Sequence, residues 1–293
     1  MPRGAESTTA HTSGAGGVFP IVRHPAPGRR APIVVSVPHY GTEPLPQTTA
    51  ADYREPSFAT FAYGFADAFA GDLYGALHEH GATVLATPLS RMFVDVNRRR
   101  DDVERRGDEV WSKRGVVRTH TMRETPIFAR PLTPAELEAR LRAFYDPYYA
   151  TLGELLGGVR TMYGHALLLD GHTGSPRRMN NHQVIIGSCR DASCSRALPR
   201  VVRLVFEGHG FEVHDNVSGY TGGNIVATFG RPHACVHALQ LEINAALLMT
   251  CTADEFIAQV RRGEIPAKNT DNIARLRACL REVVAALAAA TPD

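Results

Sequence analysis

Apolar positions along this chain fall into two alternating regimes. Short, nearly continuous runs such as Ala31-Pro-Ile-Val-Val-Ser-Val37 and Gly164-His-Ala-Leu-Leu-Leu-Asp170 are the pattern of strands covered on both faces. Further strands are expected at 82–87, 183–187, 211–214, 224–229 and 236–243, after a short β-like stretch that begins at Val18. Between them lie segments with helical periodicity. The first covers 58–80 and stops at Gly81, the usual place for a left-handed cap. A second starts at Thr133-Pro134-Ala-Glu136, with Thr133 as cap, Pro134 at the first helical position and Glu136 placed for the reciprocal bond, and runs toward Leu156 with an interruption at Pro147. Others are expected at 196–208, 253–262 and 272–289. Strands alternating with long helices predict an α/β domain around a parallel or mixed sheet, in which ligands bind at the C-terminal ends of strands.

Composition adds little to this picture. The 32 basic and 30 acidic residues nearly cancel, so charge gives no reason to expect nucleic acid or an anionic membrane as a partner. The five cysteines have no repeated spacing, which argues against a disulfide framework and for a reducing, cytoplasmic setting. Residues 1–17 are rich in Gly, Ser, Thr and Ala and carry no apolar run of signal-peptide or membrane-span character, so they are expected to form a disordered tail. No linker or internal repeat divides residues 18–293, which are expected to form a single catalytic domain.

His39 and His172 each follow an apolar strand, so two imidazoles remote in sequence can meet at one end of a sheet. Neutral imidazole is a preferred zinc ligand, and catalytic zinc usually has three protein ligands plus water. For the third ligand the sequence offers Glu43, in the loop after His39, Asp67, within an otherwise apolar helical segment, and Asp170, which could instead hold a ligand imidazole in place. The segment 91–98 alternates polar and apolar residues, as a strand would, and ends in Asn97-Arg98. The planar fork of Arg98 suits a substrate carboxylate. Glu242 interrupts an apolar strand, and a carboxylate there needs a positive partner. Beside a metal it would serve as a general base. Tyr220-Thr-Gly222-Gly223 supplies a turn where substrate could approach the backbone closely. A nucleophile elbow, a phosphate-binding glycine loop and a paired-cysteine zinc site are all lacking.

In their order along residues 18–250, the segments Ser36-Val-Pro38-His39-Tyr-Gly41, Asp67, Arg91-Met-Phe-Val-Asp95-Val-Asn97-Arg98, Asp170-Gly-His172-Thr173, Tyr220-Thr-Gly222-Gly223 and Gln240-Leu-Glu242 resemble the N-formylglutamate amidohydrolase family. The resemblance implies a three-layer α/β/α, phosphorylase/hydrolase-like fold with a mixed, mostly parallel sheet, similar to that of zinc carboxypeptidases. It further implies one zinc ion on His39, Asp67 and His172, ahead of Glu43, and Glu242 as general base. Arg98 with Asn97 would bind a substrate carboxylate, within a substrate site that also includes Arg91, Tyr220, Gly222 and Gly223.

The expected activity is hydrolysis of an N-acyl amino acid, N-formyl-L-glutamate to formate and L-glutamate or a related reaction. A metallo-peptidase or amidase acting on peptides is the alternative among enzymes. A metal-free binding protein on the same scaffold is the alternative outside them.

Overall fold

The computed structural model describes residues 19–55 and 57–290; the expected tail at 1–17 lies outside the described residues. The strands are β1 (Ile21–Arg23), β2 (Ile33–Val37), β3 (Thr83–Ala86), β4 (Arg105–Arg106), β5 (Glu109–Val110), β6 (Ala166–Gly174), β7 (Val184–Gly187), β8 (Val213–Asp215) and β9 (Val236–Asn244). The helices are α1 (Ser57–Thr60), α2 (Ala70–Tyr74), α3 (Pro134–Arg140), α4 (Asp146–Tyr163), α5 (Ala197–Gly208), α6 (Asn224–Phe229), α7 (Ala253–Arg261) and α8 (Thr270–Ala289). Seven strands form one sheet in the order β1-β3-β2-β6-β9-β7-β8, and β4 pairs with β5 in a separate ribbon. The central strands β3, β2, β6 and β9 are parallel, β1 runs antiparallel to β3, and β7 runs antiparallel to β9.

Side-chain alternation explains why the sheet is covered on both faces. Ile33, Val35, Val37, Leu167, Leu169, Leu239, Leu241 and Ile243 enter a core shared with α2, α5 and α8, whereas Val34, Ala166, Leu168 and Ala238 enter the opposite core with α4 and α6. On the second face the pattern changes along each strand. Its apolar residues give way toward the C-terminal ends to Ser36, Asp170, His172, Gln240 and Glu242, all buried. The register places Ser36 opposite Asp170, Asp170 opposite Gln240, and His172 opposite Glu242. One sheet face thus carries both a hydrophobic core and a polar patch.

Three expected elements differ from those observed. The segment 58–80 is not one helix: α1, a 3-10 turn, α2 and a second 3-10 turn replace it. Phe69 adopts a left-handed backbone at φ 58°, and the Asp67 amide donates to the His39 carbonyl (2.8 Å), so a long-range bond takes the place of a helical one. Residues 224–229, rich in β-branched side chains, form α6 with Ile225 and Val226 buried; burial outweighed strand propensity there. Residues 91–98 form successive turns rather than a strand, because the Asp95 carboxylate accepts from the Asn97 amide (3.1 Å) and the Asp95 amide donates to the Val116 carbonyl (2.7 Å).

The Thr133–Glu136 capping box is present at α3, and a π turn at Leu141–Tyr145 leads into α4, whose first turn contains Pro147. Cys189, Cys194, Cys235, Cys251 and Cys279 are all free thiols. Among the described residues, no helix is long and apolar enough to cross a membrane.

Candidate active site

His39 lies just beyond β2, His172 lies within the last residues of β6, and the broken 58–80 segment delivers Asp67 between them. Three contacts hold that acid in place: its amide on the His39 carbonyl, the Thr173 amide on its Oδ2 (3.4 Å), and the Thr173 hydroxyl donating to the Ala68 carbonyl (2.7 Å). The loop carrying His39 is pressed against the loop after β3. A Cβ on Gly41 would lie 2.2 Å from the Pro88 backbone, so only glycine permits this approach. Glu43 points outward on the same loop; it is exposed, and its backbone pairs with that of Leu89.

The two imidazoles are oriented alike. His39 Nε2 bonds Asp95 Oδ1 (2.7 Å) and His172 Nε2 bonds Asp170 Oδ2 (2.9 Å). Carboxylates accept, so each Nε2 carries the proton, and each Nδ1 faces Asp67 Oδ2, at 3.6 Å from His39 and 2.8 Å from His172. The ligand atoms of His39, Asp67 and His172 all lie within 4.8 Å of one another. Among the described residues His39 Nδ1 is buried and has no hydrogen-bond partner, which is costly for a polar atom unless something else occupies its lone pair. Two imidazole nitrogens and a carboxylate oxygen, each imidazole backed by an acid, fit a divalent cation of the zinc type.

A dense set of bonds surrounds these acids. Arg91 donates to Asp95 Oδ2 through Nε (3.0 Å) and Nη2 (2.7 Å), and to Asp67 Oδ1 through Nη1 (3.4 Å). Asn97 Nδ2 donates to Asp170 Oδ2 (3.1 Å) and its Oδ1 accepts from the Ile225 amide (2.9 Å). Ser36 donates to Asp170 Oδ1 (2.8 Å) and also meets the Tyr148 hydroxyl (2.9 Å). Gln240 Nε2 donates to Glu242 Oε1 (2.9 Å).

Electrostatics follow from this packing. Burial raises the Glu242 pKa to about 7, with Asp67 and Asp170 adding to the rise and His172 and Arg91 opposing it. Burial alone would lower that of His172, but Asp170 first, then Glu242 and the bonds to Asp170 and Asp67, hold it well above the ordinary histidine value. Burial would likewise raise Asp67, yet His39 and His172 keep it below the usual carboxylate range. The acids around His172 thus favour its charged form, and a cation bound at Nδ1 would take the place of a proton there.

The remaining expected residues border this centre. Arg98 has its carbonyl pinned by the Tyr145 hydroxyl (2.8 Å) and Asn224 Nδ2 (3.0 Å), while its side chain is 42% exposed with Nε 4.0 Å from Asp95 Oδ2. A Cβ on Gly223 would fall 2.4 Å from the Asn97 amide, and Gly222 adopts φ +128°, so this turn packs onto the polar patch. Tyr220 is half-buried, and burial followed by the Glu242 charge pushes its phenol up to about 12.

Asp95, Ser36, Tyr148 and Arg118 belong to the same network and received no role from the sequence. For Asp95 the available signal was an acid between two valines, Val94 and Val96, both of which are buried. A second group, His182, Glu212 and His214, also brings ligand atoms within 4.8 Å, but Glu212 is exposed and neither histidine is buried. A cavity of about 520 Å³ lined by Tyr40, Phe69, Gly71 and Lys268 contains none of His39, Asp67, His172 and Glu242, so the chemistry rather than the volume locates the candidate site.

A model of the N-formylglutamate amidohydrolase family matches residues 31–249. An N-formylglutamate deformylase of Pseudomonas aeruginosa is 29% identical over 222 residues, covering 73% of this chain and 80% of the relative. A second, from Pseudomonas putida, is 27% identical over 230 residues, covering 75% and 82%. The crystal structure of an N-formylglutamate amidohydrolase from Ralstonia eutropha superimposes with a TM-score of 0.75 at 24% identity, covering 92% of this chain and 96% of that one. A gene product of Agrobacterium tumefaciens gives a TM-score of 0.62 at 17% identity over 92% and 94%. These two solved structures agree with the α/β architecture.

Proposed function

The chain belongs to the N-formylglutamate amidohydrolase family, and from that premise we propose that it hydrolyses the amide bond of an N-acyl amino acid, with N-formyl-L-glutamate as the first candidate substrate and formate and L-glutamate as products. The deformylase relatives support the substrate class. The observation that carries the chemistry is the convergence of His39 Nδ1, His172 Nδ1 and an Asp67 oxygen, with the Nε2 atoms anchored behind on Asp95 and Asp170.

His39, Asp67 and His172 would hold one zinc ion. Such an ion supplies Lewis-acid polarisation of an amide carbonyl and acidifies water. Glu242, in register beside His172, takes the proton from the attacking water as the new C–O bond forms and delivers it to the nitrogen as the C–N bond breaks. Its raised pKa suits both steps, since the group must accept and then give up a proton near neutrality. Arg98, fixed by its backbone and with a partly exposed guanidinium beside Asp95, holds a substrate carboxylate. Arg91 and Asn97 direct their donors at Asp95, Asp67 and Asp170; they position the ligand set, and Gly222, Gly223 and Tyr220 close the wall around it.

The test combines elemental analysis of the purified protein with assays of a panel of N-acyl amino acids and short peptides, with and without chelator. Stoichiometric zinc and chelator-sensitive release of glutamate from N-formyl-L-glutamate are expected. Preference for peptides would establish the peptidase alternative, and a protein with neither metal nor turnover would establish the binding-protein alternative.

A further inference from the structure

Arg118 is a cation buried without an adequate acceptor. Its amide donates to the Met92 carbonyl (3.1 Å), which brings the side chain alongside the turns at 91–98. That side chain is only 15% exposed, and its Nε is buried with no hydrogen-bond partner among the described residues. The nearest acid is Asp95, 3.9 Å from Nη2. Asp95 has no capacity left: Oδ1 accepts from His39 Nε2 and the Asn97 amide, and Oδ2 accepts two donors of Arg91. Arg98 approaches the same Oδ2 at 4.0 Å from a partly exposed position. Two guanidiniums therefore stand beside one carboxylate that a third has already saturated, and the Phe65 ring lies 5.4 Å under the Arg118 guanidinium, leaving its edge to find an acceptor. Burial, then the charge of Arg91, pushes the Arg118 pKa down to about 9, with Arg98 and Arg178 acting in the same direction and Asp95 against it. Such a local surplus of positive charge at partly buried guanidiniums is relieved by an anionic ligand.

We propose that Arg118 and Arg98 together form a two-carboxylate subsite, in which Arg98 takes one carboxylate of the substrate and Arg118 takes the other, making Arg118 the residue that selects N-acyl derivatives of dicarboxylic amino acids. The assignment rests on the hydrolase reading of the site. A planar, largely buried fork with no side-chain hydrogen bond among the described residues matches a carboxylate through two parallel bonds and offers nothing comparable to a neutral amide. Because Arg118 acts on recognition, its loss should raise KM far more than it lowers kcat.

The experiment uses the zinc-loaded protein and compares N-formyl-L-glutamate with N-formyl-L-glutamine in the wild type, Arg118→Gln and Arg118→Lys, alongside calorimetric binding of glutarate and butyrate. Arg118→Gln should lower kcat/KM for the diacid about 10- to 100-fold more than for the amide, the scale of a lost charged hydrogen bond. Arg118→Lys, which keeps the charge but not the fork, should lower the ratio about tenfold and serves if the glutamine variant fails to fold. An unchanged ratio, or equal losses on both substrates, overturns the proposal and leaves the hydrolase reading standing. Should the wild type hydrolyse neither substrate, the hydrolase reading fails and glutarate decides. A loss of glutarate affinity of tenfold or more relative to butyrate in either variant supports the subsite, and an unchanged glutarate affinity overturns it.

Discussion

His172 and Glu242 face each other across the parallel pair β6 and β9, in direct register, on the sheet face where the hydrophobic core ends. Each shifts the other: the Glu242 charge raises the His172 pKa, and His172 opposes the rise that burial imposes on Glu242. The same juxtaposition places a candidate metal ligand and a candidate base on two paired nine-residue strands, so their separation is fixed by backbone hydrogen bonding rather than by loop conformation.

Replacing any one of the three convergent residues should abolish tight zinc binding. His39→Ala, His172→Ala and Asp67→Ala each leave an incomplete ligand set. Glu43→Ala should retain full zinc, since Glu43 is exposed outside the cluster. Metal content after dialysis checks all four, and full occupancy in Asp67→Ala with loss in Glu43→Ala would exchange the two assignments.

Asp170→Asn tests the support behind His172. Asp170 accepts from His172 Nε2, Asn97 and Ser36, and an amide cannot accept all three. The variant should bind zinc about 10- to 100-fold more weakly, the usual effect of losing a carboxylate behind a ligand histidine. Competition titration against a chromogenic chelator measures it, and wild-type affinity would remove Asp170 from the site.

The sheet and the two histidines were legible because the strands are largely apolar runs whose polar residues gather toward the C-terminal ends, at the chemistry. Ser36, Asp170 and Glu242 each break such a run, and the structure collects them on one face. What sequence patterns did not carry is long-range. The 58–80 segment has the period of a helix, and only the bond from the Asp67 amide to the His39 carbonyl reveals why it breaks. The 91–98 segment alternates like a strand, yet it folds around a carboxylate shared by His39 and Arg91. Arg118 follows two valines in a stretch with no recognisable motif, and its unmatched charge is visible only once Asp95 is seen to be saturated.

Gly223→Ala should damage the site without straining its own backbone. Gly223 sits at φ −80°, which alanine adopts freely, but its Cβ would lie 2.4 Å from Asn97 Nδ2. Asn97 must then shift away from Asp170, loosening the support of His172. A fall in kcat of about tenfold or more is expected, and in a double-mutant cycle Asn97→Ala should absorb most of it, with a coupling energy on the order of 1 kcal/mol. Additive effects of the two substitutions would show that the contact plays no part.

Glu242→Gln separates the acid–base role from the structural one. Glutamine keeps the volume and can still accept from Gln240 Nε2, as Glu242 does now (2.9 Å), but it cannot take a proton near neutral pH. Zinc content should persist, while kcat falls by about 10²–10⁴-fold and the acidic limb of the pH–rate profile disappears. The zinc-free protein gives a second reading. Glu242 has a folded pKa of about 7 against an ordinary value of 4.5. Between these values the unfolded chain loses the proton that the folded chain keeps, so this group's contribution to stability is fully present below 4.5 and is lost as pH rises through 7. Chelator-treated Glu242→Gln should therefore gain stability relative to wild type between pH 4.5 and 7, by on the order of 1–3 kcal/mol, and hold that gain above pH 7. Part of the gain is offset because His172 loses a negative neighbour. Urea unfolding at pH 5 and pH 8 decides the matter: the same difference at both pH values would mean that Glu242 is not buried as a neutral acid, and retained turnover would end its role as the base.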